Sequence, residues 1–214
     1  CMLSPHPLRP LWYYQAGTNA ATTSLQWALN LFGMDTADDA YALLDAEVES
    51  ISPGADGLLF HPYLRGERAP YWSSRIRGGF SGATIRHSRP AFLRAVLEGV
   101  AYSLRDCTDL LDWGGVADVR VCGGGAKSAV WCHIIADVLA LPVRQVMFQD
   151  ASALGAALAA VAGCTETELI RLSRDEGVDS RLFEPQQNNV RTYEGGYQMY
   201  REIAQQYLRT FAQR

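Results

Sequence analysis

The stretch VRVCGGGAKSAVW, from Val119 to Trp131, decides the fold. A short apolar run gives way to three consecutive glycines, and residues with helical spacing follow. Glycine permits φ > 0 and lets a neighbour approach the backbone with no side chain between. The first N–H groups of a helix point back toward the turn that precedes it. The pattern predicts a strand over 118–123, a tight turn, and a helix over 128–141.

Working outward, strands and helices alternate. LWYYQAG (11–17) reads as a strand closing at Gly17, with Thr18 and Asn19 placed to cap the next element. TTSLQWALNLFG (22–33) reads as a helix ending at Gly33, with Leu25, Leu29 and Phe32 on one face. Residues 37–50 form a second helix, acidic at its start, where Asp35, Asp38 and Asp39 act as capping residues. ISPGADG is a turn cluster, and GLLFHPYL (57–64) a buried strand.

RGERAPYWSSRIRGG is a long loop rich in Gly, Arg, Pro and aromatics; its Glu67, Arg68, Tyr71 and Trp72 read either as an interdomain contact or as a loop stiffened by an internal Glu67–Arg ion pair, the second being the reading for Glu67. Residues 89–113 form the longest helix, with Phe92, Val96, Val100 and Leu104 at helical spacing. PVRQVMF (142–148) is a strand, and Asp150 caps a small-residue helix over 153–163 able to pack very closely. The last helix, 188–211, carries a core stripe of Tyr193, Tyr197, Tyr200 and Tyr207. Strands alternating with helices indicate an α/β domain.

Composition narrows the function. With 214 residues, 48% hydrophobic, the chain can bury a sizeable core. A net charge of −4 favours neither nucleic acid nor an anionic membrane surface. No apolar run approaches the roughly 20 residues of a membrane span. The first residues lack an initiator Met and the apolar core of a signal peptide, so a fragment is expected. Five scattered cysteines without ligand spacing suit reduced thiols in the cytoplasm. Lys127 is the sole lysine and sits beside the glycines, where a phosphate contact and a solvated helix start both remain open.

Strand, glycine turn and helix form the usual frame for holding a nucleotide against backbone. Two familiar motifs fail. A dinucleotide fingerprint needs a sixth-position glycine, where Ser128 stands, and in a P-loop Lys-Ser would follow a glycine, not Ala126. The turn alone leaves a ligand-free βα connection open.

Four ordered segments shift the balance. GERAPYW, RGGFSGATIRHSRPAFLRAVLEGVAYSLRD, VCGGGAKSAVWCHIIADVLALPV and DASALGAALAA together resemble the C-terminal domain of the FGGY family of carbohydrate kinases. The resemblance runs from about Trp12 to the end. Ala83, where a bulky aliphatic residue is expected, and Ala91, where a polar one is, depart from it; Ala95-Val96-Leu97-Glu98 matches. Within the family, the style of FHPYLRGERAP and of the tyrosine-rich tail is that of xylulokinases, with gluconokinases and glycerol kinases as competitors.

The resemblance implies an actin-like (ribonuclease H-like) α/β ATPase domain over 1–214, the nucleotide-binding half of a two-domain sugar kinase. ATP and Mg²⁺ would be its cofactors, a sugar such as D-xylulose its substrate, and the N-terminal domain of the same kinase its partner; a homodimer stays open. Gly123, Gly124, Gly125 and Ala126 would lie under adenine and ribose. Ala129 stands where glycerol kinases place a base-contacting Asn. Thr22, Leu25 and Gln26 match a second nucleotide-contacting patch, with Leu25 on the adenine and Gln26 offering its amide.

The family's catalytic aspartate and phosphate loop precede this domain, so the isolated chain is expected to be inactive. Two rival readings are a free-standing actin-like sensing module and a structural oligomerisation domain.

Overall fold

The computed structural model describes residues 1–6, 12–34, 40–111, 115–147, 150–165 and 180–212. The elements run β1 (Met2–Pro5), β2 (Trp12–Gln15), α1 (Ala21–Leu31), α2 (Ala40–Glu49), β3 (Leu59–His61), β4 (Gly79–Ser81) and α3 (Arg89–Thr108). They continue with β5 (Val119–Val121), α4 (Ala129–Leu139), β6 (Val143–Val146), α5 (Ala151–Thr165), β7 (Ser180–Phe183) and α6 (Gln187–Ala212). The capping roles expected of Asp35, Asp38 and Asp39 fall outside the described residues.

The strands form three small sheets. β1 pairs antiparallel with β2, and β3 with β4. β5 lies parallel to β6, which is antiparallel to β7, in the order β5-β6-β7. Parallel neighbours need a crossover, and α4 supplies it. β1, β4 and β7 are absent from the sequence reading because each has three or four residues and a weak period-2 pattern.

α3 is the axis of the core. Leu93 through Ser103 are all buried, so it is enclosed on every side and not merely amphipathic. Pro90 opens it, where a missing N–H costs nothing. A Cβ on Gly99 would stand 2.1 Å from the Phe60 carbonyl oxygen, so only glycine lets β3 lie this close to α3. Of the expected tyrosine stripe of α6, Tyr193, Tyr197 and Tyr200 are buried in the core, and Tyr207 is half-buried against it. Trp27 stacks on Phe60 and Phe80 beneath α1.

Polar groups in this core are hydrogen-bonded to tyrosines. Arg94 Nε and Tyr193 OH donate to Glu98 Oε1 at 2.7 and 2.9 Å, and Gly54 N does so at 2.9 Å. Asp106 accepts from Tyr71 OH and Tyr197 OH, each at 2.8 Å. His61 Nε2 donates to the Tyr200 carbonyl at 2.9 Å. Burial pushes its imidazole down to about 4.

Three expectations need correction. Thr18 and Asn19 do not cap α1: its N-cap is Ala20, with no side-chain hydrogen bond. Thr18 Oγ1 and Asn19 N instead donate to Glu67, both at 2.8 Å. Among the described residues Glu67 has no arginine partner; Arg68 N and Ser103 Oγ complete its ring of neutral donors. The loop is stiffened, but by hydrogen bonds to a buried carboxylate. Finally, α5 does not pack closely, since none of its described side chains is buried. Cys107 and Cys132 are buried free thiols, each pushed up to about 11 by desolvation, which leaves them as packing groups.

Candidate functional site

The strand, turn and helix expected over 118–141 are present. Val119–Val121 form β5, Gly124–Lys127 a single 3₁₀ turn, and Ala129–Leu139 the helix α4. Gly123 enters the turn at φ 75°, ψ −152°, a region essentially closed to residues with a side chain. Gln145 Nε2 donates to the Ala126 carbonyl and ties the turn to β6. Gln145 is buried because it alternates with Val143 toward the core.

Beside the turn lies a cavity of about 310 Å³, lined by Gly123, Gly124, Ala126, Lys127, Val146, Met147 and Asp150. That volume is at the lower end for small-molecule sites. Three of the expected residues therefore share one wall. Lys127 is exposed there, its ammonium 6.0 Å from the Tyr41 ring centre. Asp150 faces the cavity, and no side-chain cap to α5 is among its described contacts.

Thr22 meets the turn from the other side of the fold. Its Cγ2 is 3.5 Å from where a Cβ on Gly124 would stand. Thr22 and Gly124, roughly a hundred positions apart in sequence, thus come together. Gln26 is exposed one turn further along α1.

Two expected residues point elsewhere. Leu25 is only 1% exposed and belongs to the hydrophobic core, so its side chain offers no surface to an adenine. An α1 facing α3 must bury one side, and Leu25 with Ala28 and Leu29 is that side. Gly125 turns inward as well: a Cβ there would stand 3.2 Å from the Trp131 ring. Its lack of a side chain serves packing of the turn on α4.

The N-terminus of α4 is also not free. Asp45 Oδ1 accepts from Ser128 Oγ at 2.5 Å, and its Oδ2 from Ala129 N at 3.0 Å and Val130 N at 3.4 Å. Ser128 Oγ in turn accepts from Trp131 N at 3.0 Å. Asp45, on α2, thus takes the place an anion would occupy at this helix start. Burial pushes its carboxyl up, opposed by these hydrogen bonds. Ala129 is half-buried and its N–H is used, so the turn and not the helix end is what a ligand can reach.

The FGGY family of carbohydrate kinases, C-terminal domain, matches residues 3–164. The chain belongs to the FGGY family. Xylulose kinase of Staphylococcus epidermidis is 33% identical over 204 residues, covering 94% of this chain and 40% of that protein. Gluconokinase of Bacillus licheniformis is 38% identical over 158 residues, 69% of this chain and 31% of that protein. The crystal structure of ligand-bound xylulose kinase from Lactobacillus acidophilus superimposes with a TM-score of 0.80 at 25% identity, over 92% of this chain and 40% of that one. The fold is therefore the actin-like α/β fold of FGGY kinases. The chain spans about 40% of the length of the xylulose kinases it matches.

Among the described residues no group of three His, Cys, Asp or Glu side chains could hold a metal ion, and no helix is long and apolar enough to cross a membrane.

Proposed function

We propose that this chain is the nucleotide-binding half of an FGGY kinase that transfers the γ-phosphoryl group of ATP to a primary hydroxyl of D-xylulose. The observation that carries the reading is the identity to xylulose kinases over 94% of the chain, joined to a cavity walled by the glycine turn. Gluconate and glycerol are the alternative acceptors.

Gly123, Gly124 and Ala126 present backbone to the nucleoside, with Thr22 and Gln26 on the opposing helix. Leu25, Gly125 and Ala129 support this surface from below: the first through the core, the second through Trp131, the third through Asp45. Lys127 is the cation nearest the phosphates. Mg²⁺ would arrive on the phosphates, and no residue of this chain is assigned to it. Proton removal from the sugar belongs to a carboxylate of the partner domain, and closure of the two domains would exclude water from the transfer. A cytoplasmic setting and a chain inactive by itself follow from the same reading.

The test is ADP release by the full-length protein with Mg-ATP and D-xylulose, D-gluconate or glycerol. Turnover dependent on D-xylulose above the other two supports the reading. Absence of any sugar-dependent ADP release overturns it.

A further inference from the structure

We infer that Tyr41 of α2 is a third wall of the nucleotide site and that its hydroxyl binds the ribose. This rests on the proposed nucleotide reading of the glycine turn and names the group that recognises the sugar of the nucleotide.

The placement is geometric. The Tyr41 hydroxyl oxygen is 3.8 Å from where a Cβ on Gly124 would stand, and Gly124 is exposed on the cavity wall. Thr22 reaches the same point from α1 at 3.5 Å. A ligand lying over Gly124 therefore has a phenolic hydroxyl at its edge, a threonine next to it, and the Lys127 ammonium 6.0 Å above the phenol ring.

The hydroxyl is also available. Tyr63, Tyr71, Tyr193, Tyr197, Tyr200 and Tyr207 all hydrogen-bond to side chains. Tyr102 has no partner, but it is sealed in the core at 1% exposure. Tyr41 is half-buried at the turn and makes no hydrogen bond among the described residues. A partly desolvated hydroxyl without a partner is costly unless a ligand or water completes it. Desolvation raises its pKa, so it stays protonated and can both donate to and accept from a ribose hydroxyl.

The residue is held where it stands. Asp45 is four positions further on and thus on the same face of α2. Its carboxylate clamps that face to Ser128, Ala129 and Val130 at the start of α4. α2 and the glycine turn are in this way locked together, and Tyr41 is pre-positioned rather than recruited by the ligand.

Binding of ADP, 2′-deoxy-ADP and 3′-deoxy-ADP to the full-length protein and to its Tyr41→Phe and Tyr41→Ala variants, by calorimetry, tests the inference. Phenylalanine keeps the ring and removes only the hydroxyl. Tyr41→Phe is expected to weaken ADP about three- to tenfold, the range for one neutral hydrogen bond. It should also bind one deoxy analogue as well as it binds ADP, where the unaltered protein discriminates between them. If Tyr41→Phe binds ADP like the unaltered protein while Tyr41→Ala does not, the ring only packs and the inference is overturned. An equal loss for ADP and both deoxy analogues overturns it too, because the hydroxyl then acts through the fold. Should the unaltered protein bind no ADP at all, the nucleotide reading itself fails, a distinct result.

Discussion

Along the seam between α3 and α6, carboxylates are buried and surrounded. Glu98 accepts three hydrogen bonds on one oxygen, and Asp106 is held by two phenols. Around Gly123–Lys127 the opposite holds: side chains are few, backbone is exposed, and the Asp45 carboxylate behind the turn is taken up by a helix end. Both regions concentrate polar groups. Where those groups are sealed among one another, they fix the fold, even with Glu98 Oε2 and the Tyr102 hydroxyl left unpaired; where backbone and a hydroxyl stay open to solvent, a ligand has something to bind. Polar density alone does not mark a site, and unsatisfied polar capacity at an open surface does.

The strongest way to sharpen this contrast is Arg94→Leu. The pair Arg94–Glu98 is closed to solvent, with side chains 8% and 2% exposed. Removing the cation leaves a buried carboxylate, at a cost of about 3–5 kcal/mol in urea unfolding near neutral pH. Burial already pushes the Glu98 carboxyl up, and Arg94 opposes that rise. Without Arg94 the folded pKa climbs further above its unfolded value. An acid shifted in this direction loses stability as pH rises through its folded pKa. The deficit is therefore larger at pH 8 than at pH 5, and ADP affinity of the fraction still folded is unchanged. A deficit equal at both pH values would mean that Glu98 is not ionised by the arginine.

An intermediate effect separates the glycines from one another. Gly125→Val pushes a side chain into the Trp131 ring, so it costs about 1–3 kcal/mol of stability as overpacking. The KM for ATP should change no more than that for sugar. A selective rise in the KM for ATP, with thermal stability intact, would put Gly125 on the ligand side of the turn and break the assignment.

The smallest effect concerns Gln26, exposed on α1. Gln26→Ala should weaken ADP binding by about 0.5–1.5 kcal/mol, one neutral hydrogen bond. Arg68→Ala is the contrast: Arg68 lies 5.8 Å from the Trp72 ring in the Glu67 loop, and ADP affinity should not respond to its loss. Calorimetric titration of both variants decides this; loss with Arg68→Ala alone would move the site to the loop.

Much of the fold was legible because its signals are local. The glycine turn, the long α3 and the tyrosine stripe of α6 all declare themselves within a few turns of chain. What was not legible depends on distant partners. Glu67 meets Thr18 across 49 positions, which is why Thr18 reads as a helix cap and Glu67 as an arginine's partner. Asp45 meets Ser128 across 83, so nothing in its own helix distinguishes it from a surface acid. Leu25 was misplaced because periodicity gives an apolar face without saying whether core or ligand covers it. Tyr41 lacked any local signal and became visible only through the geometry around Gly124.

The central claim is that nucleotide rests on the glycine turn and on the helices that converge there, while the Glu67 loop and the tyrosine seam are structural. Hydrogen–deuterium exchange of the full-length protein, with and without ADP, tests this most directly. ADP should slow exchange at the amides of Gly123–Lys127 and across Thr22–Gln26, and leave Glu67–Trp72 unaltered. Protection confined to Glu67–Trp72, with none at the glycine turn, would contradict the account.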